Sequence, residues 1–105
     1  HDCFTIAGLL AVEALGFAEK GKGAEFVAEG HTARNGKIPF NTTGGLIGWG
    51  HPTGATGVHQ AVTIWEQFTG KAGDAQIDIH DNKYGLSINM GGDDKTVVSV
   101  VYRKA

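Results

Sequence analysis

The sequence predicts an α/β chain, and three observations predict it. Apolar residues recur at helical spacing from Phe4 to Gly16 and again from about Val58 to Thr69. Between those stretches lies Gly44–Gly57, in which six residues are glycine and one is histidine. From Ala75 onward the period shortens to alternation and then to a run of β-branched residues.

The first helix is expected over Phe4–Gly16, with Ile6, Leu9, Leu10 and Leu15 on a mostly buried face. Thr5 or Asp2 would cap its start, and Gly16 would stop it. Glu19–Gly23 reads as an exposed turn. Ala24–Glu29 predicts a short second helix, and His31–Lys37 a polar loop. Ile38-Pro39-Phe40 reads as extended, with Pro39 arguing against a central strand position. The next helix follows Gly57 at once, with Val58, Ala61, Val62, Trp65 and Phe68 along one face. Three strands complete the chain. They are Ala75–His80, Tyr84–Met90 and Thr96–Arg103, the last read as sheet interior because it has so little polarity. Asp81–Lys83 and Gly91–Lys95 would be the turns between them, and the last two strands an antiparallel hairpin.

At 105 residues the chain is one domain or less. A formal charge of −2 gives no electrostatic case for nucleic acid or an anionic membrane surface. No apolar run approaches the roughly 20 residues that span a bilayer. Cys3 is the only cysteine, so no internal disulfide can form, and a lone thiol fits a reducing compartment such as the cytoplasm. The 17 glycines gather around the motifs, so they do not read as a flexible linker.

His51 stands first among residues able to do chemistry. Pro52 biases it away from helical geometry, and glycines hold the backbone on both sides. A rigid turn before a helix start can aim backbone N–H groups and one base at the same space. A neutral imidazole can take a thiol proton, and its N–H can stabilise developing charge on oxygen. Cys3, at a predicted helix start, reads either as a small buried hydrophobe or as a tuned acid/base thiol. His1 and Cys3 are too few to suggest a metal site.

The string GGLIGWGHPTGATG, residues 44–57, resembles the histidine motif of the thiolase superfamily. His1-Asp2-Cys3-Phe4 resembles the HDCF motif of the sterol-carrier-protein-type thiolases and acetyl-CoA acetyltransferases. The resemblance covers nearly the whole chain but only the last part of a thiolase. It implies a thiolase-type layered fold, with a mixed β-sheet covered by helices, of which residues 1–105 are an incomplete C-terminal portion. It implies that His51 acts on a nucleophilic cysteine carried by a missing N-terminal half and helps bind the thioester oxygen. Most thiolases take a second reactive cysteine from a late CxG motif. Here Asn89-Met90-Gly91 stands at that place, and the resemblance assigns the role to Cys3 instead. His1 replaces an asparagine that positions a water in an oxyanion hole. Asn89 and Gly91 would line the substrate pocket, and so would Gly44 and Gly45, in an Asn41-Thr42-Thr43-Gly44-Gly45 run where the family more often has NxSGG.

The implied reaction is Claisen condensation, or its thiolytic reverse, on an acyl-CoA thioester, without a metal or other cofactor. Implied partners are the N-terminal half, further copies in a homodimer or tetramer, and a zinc-ribbon/OB-fold protein. Two other readings stay open. One is a thiolase-like retro-aldol lyase, which Cys3 disfavours because those relatives tend to carry tyrosine there. The other is a non-catalytic carrier of acyl-CoA or lipid.

Overall fold

In the computed structural model, which describes every residue except Asp94, the chain begins with helix α1, Thr5–Ala14. The order continues with α2 (Gly23–Ala28), α3 (Gly45–Trp49), α4 (Thr56–Thr69), a single 3-10 turn at Gly73–Ala75, and strands β1 (Tyr84–Gly91) and β2 (Thr96–Arg103). These residues form two units, one of Asp2–Gly50 and one of His51–Ala105 together with His1.

In the first unit α1 packs against α2. The helix starts at Phe4 without a side-chain cap, so neither Thr5 nor Asp2 fills that role. The Asp2 carboxylate is committed elsewhere: Oδ1 accepts the Leu46 N–H at 2.8 Å and so serves the start of α3. Gly16 ends α1 as expected, with its N–H on the Glu13 carbonyl at 2.9 Å. The buried stripe differs from the predicted one. Val12 is 1% exposed, whereas Ile6 and Leu10 are exposed. The reason is where α2 crosses. A Cβ on Gly23 would lie 2.6 Å from the Leu9 carbonyl oxygen, so the helices approach along the Leu9–Glu13 side.

Glu13 Oε1 accepts the Gly23 N–H at 2.9 Å and satisfies an orphan donor at the α2 start. Backbone N–H bonds from Gly21 and Gly23 hold its carboxyl below the usual carboxylate range. The His31–Phe40 loop closes through two backbone bonds, Ile38 N–H to the His31 carbonyl at 2.9 Å and Phe40 N–H to the Thr32 carbonyl at 3.0 Å. Phe40 meets Phe17 edge to face, with centroids 5.8 Å apart.

In the second unit β1 and β2 form the predicted antiparallel hairpin, with Tyr84 opposite Arg103 and Gly91 opposite Thr96. The turn expected over Gly91–Lys95 includes Asp94, which lies outside the described residues; Lys95 N–H bonds the Gly92 carbonyl at 3.1 Å. The predicted strand Ala75–His80 does not form. Gln67, on α4, takes the place of a neighbouring strand. Its Nε2 donates to the Ala75 carbonyl at 2.8 Å and its Oε1 accepts the Ile77 N–H at 3.0 Å.

Helix α4 packs on β1. The helix comes close at Gly85, where a Cβ would lie 2.7 Å from Ile64 Cγ2 and 3.3 Å from Phe68 Cζ. Leu86, Ile88 and Met90 share the opposite face, as alternation requires. Two expectations are corrected here. The sheet-facing stripe of α4 runs through Gln60, Ile64 and Phe68, while Val58, Val62 and Trp65 are 67%, 43% and 51% exposed. Strand β2 is not sheet interior, since Val97, Val98 and Val101 are all exposed. Among the described residues no helix is long and apolar enough to cross a membrane.

Candidate functional site

The second unit contains four of the predicted site residues, His1, His51, Asn89 and Gly91. Gly50 and Gly54 bracket His51 at φ of 84° and 85°, values that L side chains rarely adopt. The chain then enters α4 at Thr56, with Ala55 and Thr56 N–H groups on the Pro52 carbonyl at 2.9 and 3.2 Å. His51 is therefore held in a turn that is itself tied to a helix start, as the glycines and Pro52 predicted.

His1 belongs to this unit although 50 residues separate it from His51. Its backbone nitrogen donates to the Ile88 carbonyl at 3.1 Å. Its Nδ1 faces Asn89 Oδ1 and, at 3.3 Å, the Met90 N–H. These contacts fix the ring, which meets the His51 ring edge to face with centroids 4.7 Å apart. Gln60 adds a further bond from α4 to the Ile88 carbonyl, 3.1 Å from its Nε2.

His51, Asn89 and Gly91 share a cleft of about 400 Å³, whose walls also include Thr56, Gly57 and Met90. Gly57 has a spatial reason to be glycine: a Cβ there would lie 3.1 Å from the Asn89 amide. His51 is exposed, so its ring can meet a ligand, while Asn89 and His1 are half-buried. Two imidazoles and an amide beside an open cleft can hold an oxygen by N–H donation and can move a proton. They present no anionic group to a bound thioester.

Cys3, Gly44 and Gly45 lie in the first unit. Cys3 is half-buried, two residues before α1 begins. Gly44 precedes α3 and Gly45 opens it, a short helix that the sequence pattern did not predict. A Cβ on Gly45 would sit 2.5 Å from Asp2 Oδ1, so glycine is needed for the Asp2 carboxylate to reach the Leu46 N–H. Trp49 closes this segment by donating its ring N–H to the Thr43 carbonyl.

One residue of the site escaped sequence reasoning. Thr56 is 3% exposed, and its hydroxyl oxygen lies 2.7 Å from His51 Nδ1. The available signal was a hydroxyl residue five positions after a histidine at a helix start, which spacing alone does not distinguish from a helix cap.

The family described as thiolase C-terminal domain-like matches residues 1–104. An acetyl-CoA acetyltransferase of Methanothermobacter thermautotrophicus is 43% identical over 104 residues, covering 99% of this chain and 27% of that protein. Sterol carrier protein 2 of Homo sapiens is 41% identical over 100 residues, 95% of this chain and 18% of that protein. Non-specific lipid-transfer protein-like 2 of Caenorhabditis elegans is 44% identical over 91 residues, 87% of this chain and 22% of that protein. The chain thus spans little more than a quarter of the length of these relatives, or less.

Proposed function

The chain belongs to the thiolase C-terminal domain-like family, and from that premise we propose that it is the C-terminal catalytic portion of an acyl-CoA acyltransferase. The reaction is thiolysis of a 3-oxoacyl-CoA, or the Claisen condensation that reverses it. The observation that carries the reading is the pairing of the His1 and His51 rings, 4.7 Å apart, beside the cleft that contains Asn89. The acetyl-CoA acetyltransferase named above supports the substrate class.

The nucleophilic cysteine lies outside these 105 residues, on an N-terminal half. His51 takes its thiol proton, and the thiolate adds to the 3-oxo carbonyl of the substrate. The carbon–carbon bond then breaks, its electron pair leaving as the enolate of acetyl-CoA, and the cysteine keeps the acyl group. Cys3 gives its thiol proton to the enolate carbon. The Cys3 thiolate then takes a proton from free coenzyme A, whose sulfur accepts the acyl group as the nucleophilic cysteine leaves as thiolate and regains its proton from His51. N–H groups of His1 and His51 hold the thioester oxygen while negative charge is on it, His1 directly or through a water. Asn89 fixes the His1 ring, and Gly91 leaves room for the substrate.

The test joins residues 1–105 to an N-terminal thiolase half and measures thiolysis of acetoacetyl-CoA. Turnover that disappears with His51→Ala is expected. A joined protein that turns over equally well with His51→Ala contradicts the proposal. The names of the lipid-transfer relatives favour a second reading, a carrier of acyl-CoA or lipid. Tight acyl-CoA binding with no turnover in the joined protein would select it.

A further inference from the structure

We infer that Thr56 is a positioning residue that holds His51 in the tautomer with its proton on Nδ1, leaving Nε2 as the proton acceptor. The inference rests on the reading of His51 as the base. It starts from proton counting. The Thr56 hydroxyl oxygen lies 2.7 Å from His51 Nδ1 and 3.4 Å from the Pro52 carbonyl oxygen. A hydroxyl has one proton to give, and a carbonyl can only accept. Both contacts are hydrogen bonds at once in one arrangement only: Nδ1–H donates to Oγ1, and Oγ1–H donates to the Pro52 oxygen.

Burial makes this arrangement matter. Thr56 is 3% exposed, so water does not compete for its hydroxyl, and buried hydroxyls are almost always paired. The backbone fixes the geometry as well. Thr56 is the first residue of α4, and its own N–H bonds the same Pro52 carbonyl at 3.2 Å. The residue after His51 and the residue five beyond it are therefore locked together. When Nε2 takes a thiol proton, the thiol becomes thiolate and His51 becomes imidazolium. Nδ1–H keeps its bond to Oγ1, so no group has to turn during the step. A carboxylate partner at this place would hold the same tautomer but would add a negative charge beside the developing thiolate. The neutral hydroxyl orients the ring without that repulsion.

The experiment uses the joined protein described above, labelled with ¹⁵N-histidine, in wild-type, Thr56→Val and Thr56→Ser forms. Long-range ¹H–¹⁵N spectra read the tautomer of neutral His51, which needs no turnover. Wild type and Thr56→Ser are expected to carry the proton on Nδ1. Thr56→Val, which keeps the shape and removes the hydroxyl, is expected to move it to Nε2. In parallel, kcat of Thr56→Val should fall on the order of tenfold, a fraction of what acid–base catalysis supplies, while KM holds and Thr56→Ser restores the rate. Wild-type His51 found with its proton on Nε2, or a Thr56→Val tautomer unchanged from wild type, overturns the inference. If Thr56→Val moves the tautomer as stated but no form turns over, the positioning role stands and the acyltransferase reading falls.

Discussion

In the proposed mechanism the acid/base thiol is Cys3, since Asn89 stands at the late CxG place and has no sulfur. Cys3→Ser in the joined protein should therefore lower kcat on the order of 10²–10⁴, the usual share of positioned proton transfer. Both half-reactions of thiolysis should slow, because Cys3 protonates the enolate in the first and takes the proton of coenzyme A in the second. Stopped-flow release of acetyl-CoA, followed separately from acyl transfer to coenzyme A, measures each. Near-normal kcat with a lower melting temperature would make Cys3 structural. At this scale the sequence was a good guide to residue type and a poor guide to proximity. The turn that holds His51 was legible because glycines and a proline punctuate it. The bond between His1 and Asn89 was not, because 88 positions separate them and only the fold closes that gap.

Helix α4 shows which parts of an element a pattern can fix. Periodicity placed the helix within two residues of its observed start, since Gly57 and Gly70 punctuate it. It did not identify the face that meets the sheet, because α4 has apolar residues on two sides. Gln60, Ile64 and Phe68 lie against β1 by virtue of Gly85, a residue that a strand pattern counts as a weakness. Gly85→Ala should therefore lower stability by about 1–3 kcal/mol, as overpacking does, while Gly91→Ala, with open space around it, should not. Denaturant unfolding of the two variants compares them; equal midpoints would mean that α4 is not seated on Gly85.

The strand expected at Ala75–His80 failed for a related reason, since alternation cannot reveal a glutamine side chain bonding the backbone in place of a neighbouring strand. Glu13 gives a pH test on the α1–α2 pair. Its carboxyl is held below the usual range by N–H bonds from Gly21 and Gly23. A lowered folded value means a contribution that is complete above the ordinary carboxylate range and lost as pH falls through the lowered value. Protection of the Gly23 amide from exchange should weaken in acid, and Glu13→Gln should remove that dependence. An identical acid profile in both proteins would show that Glu13 does not hold the α2 start.

At the scale of the whole molecule, apolar surface outruns what these residues cover. Val58, Val62 and Trp65 line the uncovered side of α4, and Val97 and Val101 lie on the hairpin face away from it. A helix apolar on two sides belongs between layers. Covering such side chains stabilises by about 1.5–3 kcal/mol each, so the 105-residue chain should self-associate or bind an N-terminal thiolase half. Sedimentation of wild type against Val62→Glu/Trp65→Glu checks this, and a monomeric wild type without affinity for such a half would count against it. The central claim concerns His51 and the first chemical step. The most direct measurement is mass spectrometry of the joined protein, quenched soon after mixing with acetoacetyl-CoA. The account predicts that wild type gains an acetyl group on a cysteine of the N-terminal half, and that His51→Ala gains it far more slowly. Acetylation of His51→Ala at the wild-type rate would contradict it.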